Sequence, residues 1–235
     1  MKASDIRTAL RKGASSPKAK FSAWFFKTGP GQYGHGDKFL GLTVPQQRAI
    51  AKEFKDLPLP ETLKLLRSPW HEERLTALLI LVGQFQRAKT AAQQAPLVKA
   101  YLANLKWVNN WDLVDSSAGY LLGAWLRTKD RSILYKFVRS KTLWQRRVAM
   151  IATQAFINAG ESKDALRLAA LLLDDKEDLM HKAAGWMLRE VGKRVSVGDL
   201  RGFLKRYAGR MPRTMLRYSI ERLPQAERKR WLAAR

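Results

Sequence analysis

Along almost the whole chain apolar residues return at every third or fourth position, and strict alternation is absent. That is the period of a helix with one buried stripe, not of a strand. It predicts helices over about 3–13, 17–27, 44–54, 60–67, 70–87, 92–104, 110–128, 130–138, 142–158, 162–173, 177–193, 196–208, 212–222 and 225–233. The breaks carry ordinary punctuation: "LPLP" at 57–60, "SP" at 68–69, "NAGESKD" at 158–164, and "MP" at 211–212, where proline suits a helix start. One long irregular stretch, "TGPGQYGHGDKF" (28–39), is rich in glycine. It lacks the GK[ST] that would make it a phosphate-binding P-loop.

The segments "ERLTALLIL", "WDLVDSSAGYLL", "QRRVAMIATQAF" and "HKAAGWMLREV" each begin polar and turn small and apolar. They recur at roughly 36-residue intervals, near the period of helical-hairpin solenoids. A hairpin of this kind cannot bury its face alone, so neighbours stack and the array gains a concave surface. With no long linker in view, the chain reads as one all-α domain, 1–235, an α-solenoid of about six HEAT-like hairpins.

Composition narrows the partners. The chain has 44 Lys+Arg against 20 Asp+Glu, a net charge of +24, and its hydrophobic fraction of 46% is that of a folded protein. The excess suits a polyanion, because each neutralised phosphate releases condensed counterions. Absent cysteine removes disulfides, thiolate zinc sites and thiol nucleophiles together. The histidines His35, His71 and His181 are scattered, and "HEERL" (71–75) lacks the second histidine of a zinc-protease helix. No cofactor or metal is expected. The N-terminus has no apolar signal core, and "ALLILV" (77–82) is far short of the roughly 20 residues of a membrane span. A cytoplasmic monomer is expected, associated with the nucleoid in a prokaryote, with no membrane partner.

Candidate chemistry centres on helix 110–128. Val114, Ala118, Leu121, Leu122 and Trp125 form its apolar stripe, and Asn110 suits the N-cap. Asp112 then lies in the first turn, where an aspartate complements the helix dipole. Asp115 lies further on, at the border of the stripe and in line with Trp111 and Gly119. Two readings stay open for it: an ion pair with an arginine of the next repeat, with Gly119 easing packing, or a carboxylate attending a cationic ligand. Arg147 in "LWQRRVAM" flanks its own apolar stripe and is the natural arginine, while Arg146 points outward.

One repeat further, Lys182, Trp186, Arg189 and Lys193 share a helix row, so Trp186 is either core or part of a groove meeting phosphates and bases. The last 43 residues hold 13 Lys+Arg and 3 Asp+Glu, a net of +10. Among them Arg210, Arg213 and Arg217 follow i, i+3, i+7, suited to phosphate contact without base reading.

The segments "YGHGDKFLGLTVPQQR" (33–48), "NNWDLVDSSAGYLLGAWL" (109–126), "LWQRRVAMIA" (143–152) and "HKAAGWMLREVGK" (181–193), in this order, resemble the AlkD-type DNA alkylation-repair glycosylases. The likeness runs from about residue 5 to about residue 230. It implies a HEAT-like repeat fold, duplex DNA containing alkylated purines as partner, and hydrolysis of the N-glycosidic bond of N3- or N7-alkylated purines. The family's cleft aspartate matches Asp115, its flanking tryptophans Trp111 and Trp186, and its arginine Arg147. The resemblance also implies a DNA contact near the end of the second helix, where members carry a tyrosine and this chain has Trp24, Phe25 and Phe26. No lysine stands out as a Schiff-base nucleophile, so a monofunctional hydrolase is expected. The alternatives are a non-catalytic HEAT-repeat binder of DNA or RNA structure, and a protein-binding solenoid of the transport-receptor type, which at +24 would prefer acidic partners and explains the Trp111–Asp115 arrangement poorly.

Overall fold

The apolar stripes become helices within one to three residues of most predicted bounds in a computed structural model that describes residues 1–233. Among these residues the fold is all-helical, consistent with the α-solenoid class expected, and no helix is long and apolar enough to cross a membrane. Within the expected 1–235 domain the chain gathers into two compact units, residues 1–117 and residues 118 onward.

The first unit holds α1 (Ala3–Lys12), α2 (Ser16–Phe25), α3 (Val44–Glu53), α4 (Leu59–Leu66), α5 (His71–Arg87), α6 (Ala91–Ala103) and α7 (Trp111–Asp115). Helix α5 is its hub, packed by α1, α3, α4, α6 and α7. Its middle, Leu75, Ala77, Leu78, Ile80 and Leu81, is buried nearly all round, as a core helix must be. Its first turn is more unusual: His71, Glu72, Glu73 and Arg74 are each at most 2% exposed. Ionisable groups this deep need partners, and each has them. Glu72 accepts from the backbone N–H of Leu40, Gly41 and Leu42, at 2.9, 2.7 and 3.3 Å. Glu73 pairs with Arg7 at 3.0 Å. Gly41, at φ +86°, sits where a Cβ would come within 2.3 Å of the Ser15 carbonyl oxygen, so only glycine lets this loop lie against the start of α2.

The second unit holds α8 (Ser132–Phe137), α9 (Leu143–Ala152), α10 (Gln154–Ile157), α11 (Lys163–Leu171), α12 (Asp178–Arg194), α13 (Val197–Tyr207), α14 (Arg213–Ser219) and α15 (Gln225–Ala233). Helix α12 plays the part of α5: α9, α10, α11, α13 and α14 pack on it. It buries Met180, Ala183, Ala184, Met187, Leu188 and Val191.

Two predicted helices are broken. The stretch 110–128 is not one helix: α7 stops at Asp115, a wide π turn spans Gly119–Gly123, and a 3-10 turn follows at Leu126–Thr128. The Ser117 hydroxyl donates to the Leu113 carbonyl at 2.6 Å, taking an acceptor that would otherwise serve the helix. Likewise 142–158 divides at Thr153, whose hydroxyl donates to the Met150 carbonyl at 2.6 Å. Gly123 lies against that break, and a Cβ there would stand 2.2 Å from the Ala152 carbonyl oxygen. The close approach anticipated at Gly119 is therefore tightest one turn later.

Candidate functional site

The short helix α7 is fixed at its start. Asn110 caps it, its Oδ1 accepting from the Trp111 N–H at 2.8 Å. The Asp112 carboxylate accepts from its neighbour's Leu113 N–H at 2.9 Å and lies 2.8 Å from His71 Nε2. Asp112 therefore does more than complement a dipole: it ties the start of α7 to the hub helix.

His71 carries a second carboxylate, Asp37, at 3.0 Å from Nδ1. Asp37 in turn meets Arg74 at 2.7 Å and the Asn110 side-chain amide at 3.4 Å. Burial alone would disfavour a charged imidazole, but the Asp112 charge and the hydrogen bonds to Asp112 and Asp37 outweigh it and push the His71 pKa up to about 9. Burial likewise opposes ionisation of Asp37, and its bonds and charges with His71 and Arg74 still hold that carboxyl below its ordinary range. At neutral pH the core of the first unit thus contains an imidazolium clamped between two carboxylates. The histidine that its sequence surroundings left without a role is the electrostatic anchor of α7.

Above this network lies an aromatic stack. Phe26 faces Phe39 (5.2 Å between centroids, 13° between planes), His71 (4.8 Å, 34°) and Trp111 (5.4 Å, 26°). Phe25 meets the Trp111 edge at 6.0 Å and 70°. One indole face of Trp111 is thereby occupied by Phe26, in the segment where the resembling family places its tyrosine. Four residues on, Asp115 ends α7 and is partly exposed. Burial raises the Tyr101 hydroxyl's pKa well above its ordinary value, and the negative charge of Asp115 adds to the rise. Asp115 is thus a charge at the margin of a dry interior, where electrostatic effects are larger than in bulk water.

In the second unit Arg147 does not merely flank its stripe. It is 4% exposed, and its Nη1 donates to the Leu179 carbonyl at 2.5 Å, joining α9 to the first turn of α12. Arg146, expected to point outward, instead pairs with Asp175 at 2.7 Å, both side chains largely covered. Trp186 is half-buried on α12. In the same row Lys182 meets Asp178 at 2.8 Å, Arg189 pairs with Glu221, and Lys193 is exposed. Arg210 lies 3.4 Å from Asp174, Arg213 donates to the Leu232 carbonyl at 2.8 Å, and Arg217 is exposed. Several of these cations are thus partly neutralised by the few acids available.

The described residues form a helical-repeat fold with a half-buried carboxylate near an aromatic wall, on a strongly basic chain. The family is specific: the chain belongs to the DNA alkylation repair enzyme family, whose model matches residues 6–223. Among solved structures it is similar to the "Predicted DNA alkylation repair enzyme from Enterococcus faecalis", at 17% identity, with 90% of this chain and 97% of that one covered and a TM-score of 0.70. At that identity the likeness is one of fold. No curated protein matches the chain.

Proposed function

We propose that this protein is a monofunctional DNA glycosylase that hydrolyses the N-glycosidic bond of cationic N3- or N7-alkylated purines in duplex DNA, leaving an abasic site. The observation that carries the reading is the placement of Asp115, partly exposed at the end of an anchored helix and four residues from Trp111. Alkylation already gives the purine its positive charge, so the base departs neutral and needs no general acid. What remains is a sugar that becomes oxocarbenium-like and a water to capture it at C1′. A carboxylate serves both needs, attracting the cation and orienting the water, whose proton it accepts. The Trp111 indole attracts a cationic nucleoside, an effect worth roughly 0.5–2 kcal/mol. Trp186 offers DNA a second indole, and Arg147 a phosphate contact. Lys182, Arg189, Lys193, Arg210, Arg213 and Arg217 neutralise the backbone.

Asp115→Asn tests it. The change is nearly isosteric and keeps an acceptor oxygen but removes the charge facing the sugar cation, so single-turnover release of 7-methylguanine falls on the order of 10²-fold or more with the melting curve retained. A folded variant that releases base at the wild-type rate removes Asp115 from the mechanism. Loss of the fold instead assigns Asp115 a structural ion pair. A wild-type protein that binds duplex DNA yet releases no base is a non-catalytic binder.

A further inference from the structure

Tyr101, near the end of α6, is fully buried, and the proposed chemistry gives it no part. A phenol this deep needs a partner. Its hydroxyl lies 3.1 Å from Ser117 Oγ, and Ser117 is fully buried too. Ser117 has one hydroxyl proton, and the Leu113 carbonyl at 2.6 Å takes it; the Val114 carbonyl, at 3.4 Å, is a poor second. The Ser117 oxygen is then the acceptor and the phenol the donor, so the hydrogen bonds run from Tyr101 to Ser117 to Leu113. Burial, with the charge of Asp115 added, holds the phenol's pKa well above its ordinary value, and its proton stays in place at neutral pH.

This chain of bonds ends α7 where it does. A helix running on through residue 117 would send the Ser117 N–H to the Leu113 carbonyl. That carbonyl is taken, and the N–H turns to the Val114 carbonyl instead, at 3.1 Å. The last residue before the interruption is Asp115. Its carboxylate thus stands between two anchors within the first unit. Asp112 meets His71 on one side of it in the chain, and Ser117 meets Tyr101 on the other. Linked hydroxyls polarise one another, and a fully satisfied buried network is rigid.

We propose that Tyr101 is a positioning residue for Asp115, its phenol holding the Ser117 hydroxyl on the Leu113 carbonyl so that α7 ends at the carboxylate. The effect on rate rests on the proposed function; the placement of the helix end does not. A tyrosine that only filled space would need its ring alone, and a hydroxyl carried into a dry interior would be a cost.

Tyr101→Phe keeps the ring and removes the hydroxyl. In single-turnover assays at saturating enzyme, release of 7-methylguanine slows roughly 10- to 100-fold, the scale on which a small misplacement costs rate. The enzyme concentration giving half the maximal rate changes less than about twofold, because a buried phenol does not touch DNA. Ser117→Ala frees the Leu113 carbonyl for the residue-117 N–H and slows release alike. The two changes together are no slower than either alone, since both break one chain. In an Asp115→Asn background Tyr101→Phe has no further effect. Amide hydrogen exchange reads the placement without any activity: Tyr101→Phe speeds exchange of the Ser116 and Ser117 amides by about tenfold against those of α4. Local exchange of this kind in a protein that releases no base upholds the placement and removes the glycosylase reading. Unchanged exchange at those two amides overturns the placement. Release at the wild-type rate by a variant that merely melts lower overturns the positioning role, as does equal slowing in the Asp115→Asn or Ser117→Ala background.

Discussion

The imidazolium inside the first unit makes stability depend on pH in a defined window. Unfolded, His71 titrates near its ordinary 6.5; folded, between Asp37 and Asp112, it titrates at about 9. Below pH 6.5 both states hold the proton and the clamp contributes in full. Between 6.5 and 9 only the folded state holds it, so the contribution falls as pH rises; above about 9 the folded state releases it too and the slope ends. Raising the titration from 6.5 to about 9, at 1.36 kcal/mol per pH unit, contributes about 3 kcal/mol. The groups facing the ring are Asp37, Asp112 and Arg74, and the guanidinium is the one among them that opposes protonation. Denaturant unfolding at half-unit steps from pH 6 to 10 measures the effect, with His71→Gln as control. That variant loses the slope in this window and is less stable than wild type at pH 6.5 by roughly 3–5 kcal/mol, the cost of breaking a buried pair. Wild-type stability that stays flat between pH 6.5 and 9 would refute the clamp, whatever the variant did.

Two further outcomes follow from the second unit. If the six cations assigned to phosphate contact all engage, binding to undamaged duplex weakens by about a thousandfold between 50 and 200 mM salt, from a slope of about −0.9 per phosphate; a flat salt dependence measured by anisotropy would remove them. Trp186→Ala slows base release by about tenfold, a loss in keeping with one cation–π contact of up to roughly 2 kcal/mol, while the melting temperature moves little. A large fall in melting temperature, with activity dropping only in proportion, makes Trp186 a core residue.

Much of the helical pattern was legible in the sequence because burial on one face repeats every 3.6 residues wherever a helix packs. The two breaks were not. Ser117 and Thr153 sit inside stretches whose apolar spacing continues undisturbed, and only the capture of the Leu113 and Met150 carbonyls by their hydroxyls shows where the ladder is interrupted. The network around α7 was illegible for another reason: His71 finds its carboxylates 34 and 41 residues away, a pairing that local pattern does not encode. Arg146 and Asp175 are separated by 29 residues in the same way. One signal was present. "HEER" opens an otherwise apolar helix, and four consecutive ionisable residues at the start of a buried run demand partners from elsewhere in the chain.

The two aspartates of α7 illustrate how a chain short of acids divides them. Asp112 and Asp115 are three residues apart on one short helix, yet their surroundings differ in kind. Asp112 meets a buried imidazolium within hydrogen-bonding distance and holds the helix to α5. Asp115 stands one turn later, partly exposed, close enough to the interior for its charge to act on the buried Tyr101. Only a helix held rigidly at its start can keep a carboxylate at its other end in one place, and preorganised charge is what stabilises a developing cation without reorganisation. The clamp at His71 thus bears directly on the proposed chemistry at Asp115. Loosening the first by His71→Gln should slow base release even under conditions where the variant remains folded, whereas a protein using Asp115 only as an ion-pair partner would show the change in stability alone.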